Sequence, residues 1–271
     1  MHNSRLMIVA AILLIVRVLG MIPYTTQPAI HRDLPARFFE PLGTVGVDEP
    51  VRLTTQAPLK LTVVEHDLVV HPDVPVTVRT LAPCRYLIMP KSAWPSKSSV
   101  RIGWRSLNGA VVLHTDDDRE VVINLTNQTL TAYRDHEMVR SILVSTGAPS
   151  GWATETGTFR IYKRVADDHM VGGDPHTPDH WDVRHVPYAQ YFNGAVAIHG
   201  AWWNHRFGRP ISHGCVQLPT NYGPHGPTGQ PPEAQWLWQF TNLGTPVIVT
   251  GHTPAMASTI LAPLPYPSDS P

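Results

Sequence analysis

Proline occupies 27 of the 271 positions, and this sets the first limit on what the chain can become. A proline inside a helix removes a backbone donor and clashes with the preceding turn, so a sequence this rich in proline supplies few long helices. Short β-branched runs divided by Pro, Gly, Asp and Ser clusters take their place. A mainly β protein follows. With 42% hydrophobic residues the chain buries a real core, most simply as two compact pieces.

The 21 basic and 21 acidic side chains cancel, so no general field gathers nucleic acid or an anionic membrane surface. Nucleic acid is therefore not an expected partner, and membrane contact is left to the N-terminus. There His2 and Arg5 precede the uncharged run from Leu6 to Val16; Arg17 interrupts it, and Val18 to Ile22 resumes. Eleven apolar residues suit the hydrophobic region of an export signal better than a membrane span, which needs about 20. If Arg17 snorkels, the whole stretch also serves as an uncleaved anchor, and no small-x-small cleavage site separates the two readings. Either reading makes residues 1–22 an export segment and places the remainder outside the cytoplasm.

Residues 23–48 carry Pro23, Pro28, Pro35 and Pro41 without clear periodicity, which suits a connecting arm. Residues 49–117 read as a small all-β accessory module of no recognised type. Its strands are expected at Leu59 to Val64, Leu68 to Val70, Val74 to Leu81, Tyr86 to Met89, Val100 to Trp104 and Ala110 to His114. The charged run Asp116-Asp117-Asp118 marks the expected boundary. Beyond it, residues 118–251 open on a meander of Glu120 to Leu125, Thr129 to Arg134 and Met138 to Ser145. Further strands are expected at Thr156 to Ile161, Val196 to His199 and Thr245 to Thr250, with one helix from about Pro232 to Leu243 that presents Trp236, Phe240 and Leu243 on one face. Residues 252–271 form a Pro-rich tail.

The chemistry concentrates at Ser212-His213-Gly214-Cys215. A free thiol has a pKa near 8.5, so a cysteine nucleophile needs an adjacent base or a stabilised thiolate. His213 lies two positions away, and His199 reaches the same place from another strand. Gly214 permits an unusual backbone angle, through which the N–H groups of His213, Gly214 and Cys215 are able to converge on an oxyanion, with Ser212 orienting the loop. The other cysteine, Cys84, has no such surroundings and reads as a small buried residue; a disulfide between the two is the bland alternative.

Ile198-His199-Gly200, twelve residues, then Ser212-His213-Gly214-Cys215-Val216 resembles the catalytic signature of the L,D-transpeptidase (YkuD-like) family. The resemblance runs over about residues 119–251, since the opening strand, Val144-Ser145-Thr146-Gly147, Thr156 to Ile161 and Gly244-Thr245-Pro246-Val247 follow that family in order. It implies a β-sandwich catalytic domain. It also implies a cysteine, Cys215, that attacks the L,D amide of a peptidoglycan stem tetrapeptide, expels D-alanine and passes the acyl group to an amine acceptor in a 3→3 cross-link. His199 is then the base, and His213 contributes to the oxyanion site. Stem peptides are the implied donor and acceptor, and carbapenem-type β-lactams the implied covalent inhibitors.

Substrate contacts are expected from Gly200, from Gln217, where the family often has Arg or Asn, and from the loop Ala201 to Pro210, where Trp202 and Trp203 form a wall and Arg206 or Arg209 meets a carboxylate. Water as acceptor gives an L,D-carboxypeptidase, a protein amine gives a wall-anchoring enzyme, and a wall-binding protein without catalysis is a further alternative. A papain-like peptidase is disfavoured by chain order, because its cysteine precedes its histidine. His199, His205, His213 and Cys215 can be drawn as a zinc set, but the chain has neither C-x-x-C nor H-E-x-x-H, so no metal or cofactor is expected. His169, His176, His180 and His185 fall in a Gly/Pro/Asp-rich segment and read as loop residues.

Overall fold

A computed structural model describes residues 36–39, 43–105, 110–149, 151–177 and 180–255. The expected export segment and most of the Pro-rich tail lie outside the described residues. Two β-sandwiches account for nearly all of the rest.

The first sandwich is built from β1 (Ala36–Phe39), β2 (Thr44–Val45), β3 (Val51–Thr55), β4 (Leu68–His71), β5 (Val76–Ala82), β6 (Arg85–Pro90), β7 (Ser99–Trp104) and β8 (Ala110–Thr115). One sheet has the order β1-β3-β6-β5 and the other β2-β8-β7-β4. In β3, Val51 and Leu53 point inward while Arg52 points to solvent, the alternation that a half-buried strand requires. Val51, Leu53, Val78 and Ile88 of one sheet pack on Val100, Ile102, Val111 and Leu113 of the other, each contributing about 1.5–3 kcal/mol by burial. Strands β1 and β2 fall inside the stretch read from sequence as a connecting arm, so the sandwich starts earlier than its patterning suggested.

The expected strand over Leu59 to Val64 is instead the short helix α1, Leu61–Asp67. The Tyr86 hydroxyl explains the change, because it accepts the Leu59 N–H at 2.7 Å and donates to the Leu59 carbonyl at 2.8 Å. Both ladder groups that Leu59 would offer a neighbouring strand are thereby consumed.

The second sandwich contains β9 (Arg119–Asn124), β10 (Thr129–Arg134), β11 (Glu137–Leu143), β12 (Gly157–Arg160), β13 (Lys163–Gly172), β14 (Trp181–Asn193), β15 (Val196–Gly200), β16 (Val216–Leu218) and β19 (Pro246–Thr250), with a small hairpin of β17 (Tyr222–Gly223) and β18 (Gly226–Pro227). Its sheets run β11-β10-β9-β19-β12 and β13-β14-β15-β16. Helix α2 (Glu233–Phe240) packs against them through Ala234, Leu237 and Phe240. The buried face keeps the expected Phe240 but takes Ala234 and Leu237 in place of Trp236, and the helix ends before the expected Leu243. Trp236 stacks flat on Phe240 with centroids 5.1 Å apart, outside the core proper. The helix stops because Thr241 caps it, its hydroxyl and its N–H both donating to the Leu237 carbonyl at 2.8 and 2.9 Å.

The sandwiches are joined by backbone. Gly46 N–H donates to the Leu243 carbonyl at 2.6 Å and Asp48 N–H to the Gly244 carbonyl at 3.1 Å. Gly244 has φ +81, and a Cβ there would come within 2.4 Å of the Glu49 nitrogen, so only glycine permits the approach. The aspartate run read as a charged break lies at this junction but is tied in. Asp116 is buried and accepts from Asn242 Nδ2 at 2.6 Å, and Asp117 faces Lys97, Arg119 and Arg134 at 3.3 to 3.4 Å.

Candidate active site

The second sheet sets the geometry of the site. β15 and β16 run parallel, with Ile198 opposite Val216 and His199 opposite Gln217. Cys215 immediately precedes β16, and the Ala197 N–H of β15 approaches its Sγ at 3.4 Å. The same parallel register carried one residue back sets Cys215 opposite Ala197, which shares a face of β15 with His199, so the imidazole and the thiol lie on the same side of the sheet. Both line one cleft of about 320 Å³, whose walls are largely aromatic and aliphatic: Trp152, Met170, Trp181, Tyr191 and Trp203.

Burial shapes the electrostatics. His199 is 2% exposed, and its removal from water lowers its pKa to about 4; the Cys215 thiol is likewise pushed up to about 11 by burial. The resting pair is therefore a neutral thiol beside a neutral imidazole. His199 Nδ1 lies 2.9 Å from the Gly200 carbonyl oxygen, which accepts only if Nδ1 carries the proton. Nε2 is then left with its lone pair, the atom a general base needs. Trp203 stacks on the imidazole with centroids 5.8 Å apart and keeps the ring oriented.

The loop before Cys215 is tied internally. Ser212 Oγ accepts the Gly214 N–H at 3.2 Å and donates to the Cys215 carbonyl at 2.5 Å. Ser212 thus orients the loop, but the Gly214 N–H, expected at the oxyanion, is directed into it. Gly214 itself has φ +110, an angle that side-chain-bearing residues avoid. From the other side Thr154 Oγ1 donates to the Gly214 carbonyl at 2.8 Å and accepts the Gly147 N–H at 2.9 Å. His213 lies between Trp152 and Trp181, with centroids at 4.9 and 4.4 Å, and lines the cleft.

Other expected contacts lie elsewhere. Gln217 is 2% exposed and accepts from Asn204 Nδ2 at 2.9 Å, while Asn204 also donates to Ser145 Oγ at 3.1 Å, so Gln217 braces the loop after β15 and does not line the cleft. Its side-chain oxygen is engaged inside the protein and not turned to the cleft. Gly200 is a packing position, because a Cβ there would meet Pro187, Thr220 and Ala234 at 2.9 to 3.1 Å; its carbonyl orients His199. Trp202 packs on Val183 and Val186 and donates from Nε1 to the His185 carbonyl at 3.2 Å, leaving Trp203 alone of the pair in the cleft. Arg206 and Arg209 are exposed and away from it.

Sequence reasoning missed the roof. β13 and β14, 10 and 13 residues long, form a hairpin over the cleft where a His-rich loop was expected. His169 is on β13 and lines the cleft, His185 is on β14, and cross-strand pairs hold the hairpin: His169 to Asp182 at 2.6 Å and His185 to Asp167 at 3.0 Å. Trp181 lies against Gly172, the register partner that has no side chain to obstruct it. Cys84 is free and half-buried in the β5–β6 turn, not in a core, and Cys215 is also free. Among the described residues no group of three or more His, Cys, Asp or Glu is placed to hold a metal.

Residues 118–249 match the family model of the YkuD L,D-transpeptidase catalytic domain. This part of the chain belongs to the YkuD family. An L,D-transpeptidase from Mycobacterium smegmatis superposes with a TM-score of 0.67 at 22% identity, covering 79% of this chain and 97% of that one. L,D-transpeptidase 3 from Mycobacterium tuberculosis gives 0.63 at 22%, covering 78% and 97%, and the LD transpeptidase LdtMt1 in complex with imipenem gives 0.64 at 24%, covering 77% and 94%. Such coverage exceeds the YkuD segment, so the likeness of fold extends into the first sandwich. No curated protein sequence matches the chain.

Proposed function

We propose that the YkuD domain is a cysteine L,D-transpeptidase whose nucleophile is Cys215 and whose general base is His199, acting on peptidoglycan stem tetrapeptides in the cell envelope. The observation that carries this reading is the parallel pairing of β15 and β16, which sets a thiol and an imidazole with a free Nε2 on one face of one cleft.

As Sγ bonds to the carbonyl carbon of the L,D amide, its proton passes to His199 Nε2 and the carbonyl oxygen becomes an oxyanion. The C–N bond then breaks, and the same proton leaves with the amine of D-alanine. A thioester on Cys215 remains. An acceptor amine attacks it, the C–S bond breaks, and Sγ recovers a proton through His199. The raised thiol and the lowered imidazole both oppose a resting thiolate, so the proton moves to Nε2 only as the C–S bond forms. The largely aromatic and aliphatic walls offer water few partners, which supports an amine acceptor over hydrolysis. Imipenem in the LdtMt1 complex supports a carbapenem as a covalent probe for this chain.

The test is mass analysis of the products from a stem tetrapeptide with and without an acceptor stem. A dimer one D-alanine lighter than the sum of its parts is expected when acceptor is present. Free tripeptide alone in both reactions would make the protein a carboxypeptidase.

A further inference from the structure

The β13–β14 hairpin has a second face. Val183, Val186 and Tyr191 turn toward the cleft, whereas His185, Pro187 and Tyr188 line a pocket of about 280 Å³ that shares no residue with it. Strict alternation would return Tyr188 to the side of Val186. Its φ of +60, a left-handed angle that bulky side chains seldom adopt, sets it beside Pro187 instead. The opposite wall is the turn around β17, and it is braced from behind. A Cβ on Gly223 would come within 2.8 Å of Trp202, and Gln230 Oε1 accepts the Thr220 N–H at 3.0 Å. The Tyr188 ring in turn rests against Trp238 of α2, with centroids 5.8 Å apart.

The lining combines flat apolar surface with open hydrogen-bonding groups. Tyr188, Tyr222, Pro187 and Pro224 supply the rings, and Tyr222 is 62% exposed, a large ring that the protein leaves uncovered. Asp167 holds His185 through Oδ2 at 3.0 Å, and among the described residues neither its Oδ1 nor the side-chain amide of Asn221 has a hydrogen-bond partner. No Lys or Arg lines the pocket and its imidazole is paired with Asp167, so it is not built to hold an anion. A carboxylate oxygen that accepts, an amide that both donates and accepts, and rings beside them fit a neutral ligand with a flat C–H face and a rim of hydroxyls. A pyranose has that form.

Resting on the transpeptidase reading, we propose that the pocket between β14 and the β17 turn is a saccharide subsite, which takes a sugar ring of the glycan strand that carries the stem peptide. The hairpin connects the two sites, since Val186 lines the cleft and Pro187, next in the chain, lines the pocket. A stem held in the cleft is covalently continuous with its glycan, so one hairpin meets both parts of one substrate. The sugar ring lies on Tyr222, a hydroxyl donates to Asp167 Oδ1, and Asn221 takes a second polar group. The subsite thereby favours stems still attached to polymer over free stem peptides.

The experiment titrates the protein with the tetrasaccharide of N-acetylglucosamine, which has no stem peptide, and follows binding by saturation-transfer NMR. The wild type is expected to bind, Tyr222→Ala and Asn221→Ala each to weaken binding at least about ten-fold, and Tyr222→Trp to retain it. Acylation by a carbapenem is expected at the wild-type rate in all three variants, because neither position lines the cleft. With a tetrapeptide carried on its disaccharide, Tyr222→Ala is expected to raise KM and leave kcat unchanged, and with the free tetrapeptide to change neither. A wild type that does not bind the tetrasaccharide, or a Tyr222→Ala variant that binds it equally well, overturns the assignment. Capture of decaproline in place of the saccharide, lost in Tyr222→Ala, also overturns it and makes the pocket a peptide groove. The two levels fail separately: saccharide binding without thioester formation from the tetrapeptide removes the transpeptidase reading alone, and thioester formation without saccharide binding removes only the subsite.

Discussion

Burial moves Cys215 and His199 in opposite directions, the thiol up to about 11 and the imidazole down to about 4. His199 stays neutral, and able to accept a proton, at every pH above its own pKa; it loses that ability only as pH falls through about 4. The acylation rate of free enzyme is therefore expected to be flat between about pH 5 and about pH 9, with its acid limb near 4. Rates of acylation across that range check this. An acid limb near 6.5, the ordinary value for histidine, would mean that the imidazole ionises normally and that the site is wetter than its 2% exposure indicates. Ser212 illustrates a quieter residue-scale point. Its hydroxyl is spent on Gly214 and Cys215, so its contribution is to hold the loop and not to touch a substrate.

At the scale of elements, the sequence makes some of this plain and hides the rest for physical reasons. The β15–β16 pairing is readable because its residues are short apolar runs on which His199 and Cys215 are fixed by motif spacing. Most strands of both sheets are readable too, since alternation and turn residues bound them. The β13–β14 hairpin is not. Its residues from Asp167 to Asp182 are mostly acids, histidines, glycines and prolines, a loop-like composition, and what makes strands of the two ends of this stretch is pairing visible only in three dimensions, such as His169 with Asp182. Trp152 and Trp181 escape for the same reason: nothing in their local sequence says that they meet around His213. α1 is hidden differently, by a hydrogen bond from Tyr86 that is 27 residues distant. Gln217 was read by position in the motif, and its partner Asn204 belongs to a loop whose path the motif does not specify.

Across the whole molecule, the two sandwiches meet at a turn where Glu49 is nearly buried, 5% exposed, against Gly244. Burial raises its pKa from 4.5 to about 7, despite Arg52 and Arg160 nearby. A carboxyl that binds its proton more tightly when folded contributes full stability below its unfolded pKa of 4.5, and that contribution is lost as pH rises through about 7. Above that range the junction carries an ionised Glu49 at a cost on the order of 2–3 kcal/mol. Glu49→Gln is accordingly expected to raise the thermal midpoint by roughly 4–8 °C at about pH 8.5 and to leave it nearly unchanged at about pH 5. Thermal melts at the two pH values check it; equal effects at both would show that Glu49 is not ionising on this path. The junction also fixes the first sandwich beside the YkuD domain, so that the cleft under β13 and β14 is presented by one continuous body. All of the proposed chemistry in that body passes through a single sulfur. Intact mass after exposure to a carbapenem tests it most directly: the wild type is expected to gain the mass of one inhibitor and Cys215→Ala to gain none, whereas an adduct that persists in Cys215→Ala would contradict the assignment of the nucleophile.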